Sequence, residues 1–356
     1  MRTKKIDRVY LGLILALLAL GLIILTSASS VASLERTGSP FYYLKHQFFY
    51  GVVLGLAALI FFAFLPYKKL KILAWPIFLL SLIMSLLVFI PGFGLEDGGA
   101  RRWVQILGIV FQPSEFLKLG LIILLSALLS RYPSFLVVIF ISGIAGVVLF
   151  FQSDLGTMVL FLLVSLALFW SSGASAKNIS IFISLLLVAI LIFVLVAPFR
   201  ISRILSFLNP ERDPLGSGYQ IRQALIAIGS GGVWGLGLGN SVQKQEYLPA
   251  VINDSIFAVI GEELGIFGSF LILILFIILT WRGFYIAGKC PNVFARLLAV
   301  GVTAWIFFQS MINIMGIINL LPLTGIPLPF ISYGSSSLVA TLAGVGVLLS
   351  ITRSIK

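Results

Sequence analysis

Ten long apolar runs alternate with polar segments along the chain, at residues 9–29, 46–65, 72–90, 114–130, 133–151, 157–172, 179–198, 255–281, 297–320 and 337–352. A helix needs about 20 mostly apolar residues to cross a bilayer, and these runs approach or exceed that length. They are continuous and lack the short alternating segments of a membrane barrel. Backbone polar groups inside lipid must be satisfied within the chain. The pattern therefore predicts an all-α integral membrane protein with about ten transmembrane helices, forming one polytopic unit over 1–356. The longest polar stretch, 199–254, falls between the seventh and eighth runs and is predicted to be a large outer loop.

Charge assigns the faces. An even number of spans puts both termini on one side. On that side lie 14 of the 24 basic residues, among them Lys68, Lys69, Arg131, Arg282 and Arg353, against a single acid, Asp7. The other side and its span ends carry 10 basic residues and 11 of the 12 acids. This positive-inside asymmetry predicts cytoplasmic termini and an extracytoplasmic 199–254 loop. The net charge of +12 then reads as membrane orientation, and no nucleic-acid partner is expected. A composition of 60% hydrophobic and 10% charged residues, with a mean hydropathy of +1.14, excludes a soluble domain. Cys290 has no second cysteine to pair with, and a lone His46 argues against a histidine-based metal site. Arg2-Thr-Lys-Lys5 precedes the first run and no small-residue cleavage site follows it, so that run is expected to be a retained span.

Glu115, Asp154, Asp254, Glu262 and Glu263 all fall at or near the outer ends of runs, and few ionisable residues lie near a midplane. Carriers with a central site show midplane charge or interrupted helices in matching halves, and no internal repeat is evident. Chemistry is therefore expected at the outer face, in four blocks.

In the first block, 218–228 reads as a short amphipathic interfacial helix with Gln220 and Gln223 on one face. The glycine-rich piece 229–239 follows, and Gln243-Lys244 leads to Asn253-Asp254 at the start of the eighth run. The glycines are no phosphate loop, because no Lys-Ser/Thr follows them. An aspartate at a helix start also has a plain structural use, capping free N–H groups, and on residue type alone that is the commoner role.

The second block joins Arg102-Trp103 to 111–118, where Pro113 and Ser114 resemble a helix start. Glu115 and Lys118 share a helix face. They form either a neutralised structural pair or a carboxylate and cation lining a polar cavity. The third block, Gln152-Ser-Asp154-Leu-Gly-Thr157, is readable as a capped turn. The fourth, 321–337, contains three prolines and cannot be a regular helix. It is too apolar for a free solvent loop, so it is expected to re-enter the membrane.

Taken together, Arg102-Trp103, Gln112-Pro-Ser-Glu115, Asp154-Leu-Gly-Thr157, Ala227-Ile-Gly-Ser-Gly-Gly232, Asp254 with Ile256-Phe-Ala-Val-Ile-Gly-Glu-Glu-Leu-Gly265, and Thr324-Gly-Ile-Pro-Leu-Pro-Phe-Ile-Ser-Tyr-Gly334 resemble the SEDS family of bacterial cell-wall polymerases, the group of FtsW and RodA. The resemblance covers nearly the whole chain. It implies glycosyl transfer on lipid II, extending the glycan strand of peptidoglycan at the outer face of the bacterial cytoplasmic membrane. It also implies that Asp254 is the essential acid and that a class B penicillin-binding protein is the crosslinking partner. Ser153, Ala250, Ser255, Asn319 and Ser335 stand where the family usually has Pro, Glu, Phe, Gly and Gly. The segment 237–244 with the following Tyr-Leu-Pro leans toward the division branch, FtsW, whereas Asp154-Leu is common in the elongation branch, RodA.

In the implied reaction an acceptor hydroxyl attacks a sugar C1 and a lipid pyrophosphate departs. A positioned carboxylate base accelerates such an attack by about 10²–10⁴-fold, and Asp254 is expected in that role. The departing charge requires cations or a divalent metal, magnesium or manganese, for which no ligand set is identified. Arg102, Lys118, Arg200, Arg203 and Lys244 are candidates to bind the phosphates. Glu115, Asp154, Gln220, Gln223, Thr324, Ser332 and Tyr333 complete the expected substrate-binding set. Apolar outer loops would leave the polyprenyl tail among the membrane lipids. Two other readings compete: a flippase for the lipid-linked precursor and a noncatalytic scaffold of the wall-synthesis complex. Labelled lipid II in detergent separates them from a polymerase, which alone builds strands there.

Overall fold

Runs of Leu, Ile, Val and Phe leave the backbone one way to satisfy its polar groups in lipid, and the chain is helical almost throughout. The computed structural model describes residues 6–97, 100–196, 198–212, 216–245 and 247–355. Helix α1 (Arg8–Thr37) is followed by a continuous rod made of α2 (Tyr42–His46), a π-helical turn (Gln47–Val53) and α3 (Leu54–Phe64). Then come α4 (Tyr67–Ile72), α5 (Ala74–Leu86), α6 (Pro113–Leu129), α7 (Phe135–Phe151), α8 (Leu155–Ser171) and α9 (Ala176–Leu195). The segment between α9 and α12 contributes α10 (Pro198–Leu208) and α11 (Ser217–Gly231), before α12 (Ile256–Gly288), α13 (Val293–Ile317) and α14 (Ser335–Thr352). Six elements are long and apolar enough to cross a membrane: α1, the Tyr42–Phe64 rod, α9, α12, α13 and α14. The shorter apolar segments Ala74–Phe89, α7 and α8, with the 17-residue α6, stand at the four remaining predicted spans. The chain is a multi-pass membrane protein.

Three features depart from the hydropathy pattern. α1 continues to Thr37 and the second span begins at Tyr42, because Ser, Thr and Tyr near the interface lower hydropathy without breaking a helix. The predicted eighth span divides: α12 is interrupted at Gly265 (φ 66°, ψ −162°), a conformation that glycine adopts freely. A side chain there would also collide with the backbone of Gly235. Between α5 and α6 lies an antiparallel sheet, β1 (Gly94–Asp97), β2 (Ala100–Ile106) and β3 (Ile109–Phe111), that the apolar-run criterion did not predict. Its β2–β3 turn is Leu107-Gly108, both at positive φ, the tight hairpin geometry that matches strand twist.

At one end of the bundle Asp7 caps α1, accepting from Tyr10 N at 2.9 Å, and pairs with Arg282 of α12 at 2.7 Å. Its own N–H donates to Thr352 Oγ1 of α14 at 3.3 Å. The start of α1 and the ends of α12 and α14 therefore meet on one face, as a shared side for both termini requires. Helices α13 and α14 are 83% buried over their apolar windows, against 22% for α9. Small residues such as Gly301, Thr303, Ser337 and Gly346 let the central helices approach closely.

After α13 the segment 318–334 is non-helical, yet Leu323, Ile326, Leu328, Phe330, Ile331 and Ser332 are buried. A side chain at Gly21, near the middle of α1, would collide with Phe330 O. The segment thus reaches the depth of mid-α1, as expected for a re-entrant loop sheltered by protein. Asn319, at a position where the family usually has glycine, has φ 56°, which asparagine tolerates better than most residues.

Candidate active site

At one end of the helices, strand β2, the start of α8, helices α10 and α11 and the segment before α12 converge over the re-entrant loop. Asp154 flanks α8 and caps it, accepting from Thr157 N at 3.1 Å. The cap accounts for only part of its contacts. Its second oxygen accepts from Gln112 Nε2 at 3.4 Å, and Arg102 Nη1 stands 3.9 Å from the first. Arg102 also donates to Ser153 O, presented by a residue at φ 59°. The α8 start rests on the re-entrant loop, since a side chain at Gly156 would strike Thr324 O. One residue on, a Cβ at Gly325 would lie 3.9 Å from Asp254 Oδ2.

Asp254 is not a cap: Ser255 flanks α12 and no side chain caps that helix. Asn313 of α13 holds the segment instead. Its Nδ2 donates to Asp254 O at 2.8 Å and to Ile326 O at 2.8 Å, tying the loop before α12 to the re-entrant loop. Gln220 of α11 donates to Ser255 Oγ at 2.9 Å, and its side chain favours the charged form of the neighbouring Asp254 carboxyl. Burial pushes the Asp254 carboxyl above its ordinary range, opposed by hydrogen bonds from its own and Ser255's backbone and from Gln220, and by the charge of Arg203. Burial and the charge of Arg102 push the Arg203 guanidinium down, while Asp254 and Asp154 act in the opposite sense. Yet Arg203 is exposed and Asp254 only half-buried. Solvent therefore reaches both groups.

Arg102, Arg203, Asp154, Gln220 and Asp254 thus share one electrostatic neighbourhood, with Thr324 and Gly325 beneath it. A raised, reachable carboxyl is suited to accept a proton near neutral pH. Guanidinium groups suit phosphate oxygens in number and geometry. A divalent cation fits this donor set poorly. Arginine charge acts on both aspartates, and among the described residues no three His, Cys, Asp or Glu side chains gather as metal ligands.

Other expected residues lie elsewhere. Glu115 and Lys118 pair at 2.8 Å and are 2% and 3% exposed. Lys118 also donates to Gln309 Oε1 at 3.0 Å and stands 5.2 Å from the Trp305 ring centroid. Gln309 in turn donates to Pro327 O at 2.9 Å. Of the two roles left open by spacing, this geometry is that of a neutralised pair, locking α6 and α13 to the re-entrant loop. Lys244 is likewise buried, with Nζ 3.0 Å from Glu263 Oε1 and 2.6 Å from Gly239 O; it secures the glycine-rich loop to α12 and makes no contact with Asp254. Ser332 Oγ accepts from Leu328 N at 2.8 Å within the loop's own turn. Tyr333 hydrogen-bonds His46 Nδ1 at 2.9 Å and, through its N–H, Ile252 O at 2.8 Å. Gln223 is half-buried on α11, and the side chain of Arg200 lies outside the described residues.

Residues that sequence reasoning passed over include Asn313, Gln309 and Gln47, whose Oε1 accepts from Gly334 N at 3.1 Å. A signal existed for two of them. Trp305, Gln309 and Asn313 recur every four residues along one face of an otherwise apolar span, and polar groups kept inside a membrane call for partners.

The profile of the FtsW/RodA/SpoVE family of cell cycle proteins matches residues 7–356. Stage V sporulation protein E of Bacillus subtilis (strain 168) is 39% identical over 364 residues, covering 99% of each chain. The probable peptidoglycan glycosyltransferase FtsW of Coxiella burnetii is 38% identical over 348 residues, covering 95% of this chain and 93% of its own. Among solved structures, a chain from a peptidoglycan synthase complex that coordinates polymerization and crosslinking superposes with a TM-score of 0.80 at 29% identity, covering 98% of both. The rod shape determining protein RodA of Thermus thermophilus superposes with a TM-score of 0.73 at 28% identity, over 98% of this chain and 97% of that one. Matched in sequence and in fold over almost its full length, the chain belongs to the FtsW/RodA/SpoVE family of cell cycle proteins.

Proposed function

We propose that the chain polymerises lipid II into glycan strands at the outer face of the bacterial cytoplasmic membrane, with Asp254 as general base. That it is a peptidoglycan glycosyltransferase of division or elongation follows from its family and relatives. The observation that carries the finer reading is the Asp254 carboxyl itself, raised by burial, reachable from the outer face and acted on by Arg203.

In this reading the 199–254 segment is the catalytic loop. The Asp254 carboxylate takes the proton of the acceptor hydroxyl as that oxygen bonds to C1 of the donor sugar. The bond from C1 to the lipid diphosphate breaks, and the diphosphate leaves with the electron pair. Arg102 and Arg203 stabilise the charge it gathers. Gln220 and Asn313 hold Asp254 in place, which converts encounter into a positioned attack. Glu115 and Lys118 act at one remove, by fixing the re-entrant loop. The polyprenyl tail stays among membrane lipids while its head group reaches the loop. A class B penicillin-binding protein is the expected partner, in keeping with the synthase complex of the structural relative. Cytoplasmic termini are supported by the basic inner segments and the meeting of helix ends at Asp7.

The test supplies labelled lipid II to the purified protein and its partner in detergent. The parent makes strands, and Asp254→Asn makes none while melting at the parent temperature. Strand synthesis by Asp254→Asn at the parent rate removes Asp254 from the mechanism. A parent that makes no strands but moves lipid II between leaflets of vesicles would instead be a flippase.

A further inference from the structure

The outer half of α1 and the start of the second span do not close on each other. Between them lies a groove of about 340 Å³, lined by Leu22, Ile23, Leu44, Phe48 and Phe49. That volume is within the range of small-ligand sites. The one hydroxyl in the lining, Thr26 Oγ1, is already used, donating to Leu22 O at 2.6 Å. The one charge is Lys45. It is exposed and makes no ion pair among the described residues, whereas Arg102, Lys118, Lys244 and Arg282 all do.

The local geometry has a cause. Lys45, Phe48 and Phe49 share one helix face, and the helix widens into its π-helical turn at Gln47; such turns are rare and often mark functional positions. Phe48 and Phe49 are turned outward, 43% and 60% exposed. Lys45 is one turn from the outer start of its span, near the level of Ser33, whose Oγ accepts from Tyr43 N at 3.4 Å. Leu22 lies three turns deeper on α1. The groove therefore runs from the headgroup level toward the membrane interior, with a cation at the wet end and hydrocarbon below.

We propose that this groove binds an anionic phospholipid of the outer leaflet, its phosphate on Lys45 and one acyl chain along α1. Charge complementarity selects the occupant. An uncharged or zwitterionic lipid fills the apolar part equally well but gives an unpaired ammonium no net negative partner. A lysine on the extracytoplasmic side runs against the positive-inside trend, and a lipid phosphate supplies a reason for keeping it there. Directly behind the groove, Gly21 packs on Phe330 of the re-entrant loop, so the bound chain would brace the helix that supports the site. The assignment does not depend on the glycosyltransferase reading.

Native mass spectrometry of the full chain, titrated with phosphatidylglycerol and with phosphatidylcholine of the same acyl chains, tests it. The parent should retain phosphatidylglycerol about fivefold more tightly, the factor expected for one lysine near an anionic lipid surface. Lys45→Gln, an exposed substitution that leaves the packing untouched, should abolish the preference, and Lys45→Arg should keep it. Equal retention of the two lipids by the parent, or an undiminished preference in Lys45→Gln, overturns the proposal. A polyprenyl phosphate displacing phosphatidylglycerol at equal concentration overturns it too, since the groove would then be a substrate site.

Discussion

Asn313 offers the sharpest test of how the site is held. Its side-chain nitrogen supplies the contacts, at 2.8 Å each, that bind Asp254 O and Ile326 O to α13. Asn313→Ala removes both donors and leaves two carbonyls in need of partners. A buried polar group left unsatisfied costs about 1–3 kcal/mol. Water reaches half-buried Asp254 and offsets part of its loss, so a combined effect of about 2–3 kcal/mol is expected. If that energy keeps Asp254 at its attack position, turnover falls by about 30–140-fold, at a factor of ten per 1.4 kcal/mol. The assay is the initial rate of strand formation from labelled lipid II, at limiting and saturating substrate, beside a melting curve. A loss in kcat with KM unchanged is the expected pattern, because Asn313 holds the base and not the substrate. Asn313→Asp is nearly isosteric but turns a donor into a carboxylate facing two carbonyl oxygens, and it should be worse than alanine. Parent-like turnover in Asn313→Ala would refute the positioning role.

Other expectations concern charge and packing. Because burial raises the Asp254 carboxyl, activity should fall with acidification at a pH above that of an ordinary aspartate. Arg203→Gln removes a charge that favours the carboxylate, so the acid limb of the rate profile should move to higher pH; an unmoved limb would dissociate the two residues. Lys118→Met leaves Glu115 buried without its partner, a loss of about 3–5 kcal/mol in stability, and adding Glu115→Gln should recover much of it in a denaturant titration. Gly265→Ala forces a side chain into positive φ against Gly235, with a strain of about 1–3 kcal/mol. Its melting temperature should drop, and an unchanged one would show that the break in α12 is not required.

The ionisable residues of the site were largely readable in the primary structure. Arg102, Asp154, Arg203 and Asp254 stand out because charge is scarce in a chain with 10% charged residues, and the positive-inside pattern assigned most of the remaining charge to one face. What could not be read was which of them meet. Asp254 and Lys244 are ten residues apart, yet Lys244 turns to Glu263 while Arg102 and Asp154, from distant segments, join the same field as Asp254. The ambiguity between pair and cavity at Glu115 and Lys118 was real, since spacing alone puts them on one face in either case. Only the packing of α13 against α6 seals them from water.

Hydropathy was enough to predict a multi-pass helical chain and the order of its apolar segments, and charge to predict which face each end takes. Transfer from water to lipid is close to a sum over residues, and a local run of apolar side chains contains that sum whatever surrounds it. The tertiary structure decided how far each apolar helix is enclosed by protein: α9 and α13 are both long and apolar enough to span, but are 22% and 83% buried. It also decided the break at Gly265, the depth of the re-entrant loop and the meeting of two arginines with two aspartates. These outcomes depend on how closely small residues let backbones approach, and on hydrogen bonds between segments far apart in the chain. Neither quantity can be written as a sum along the sequence.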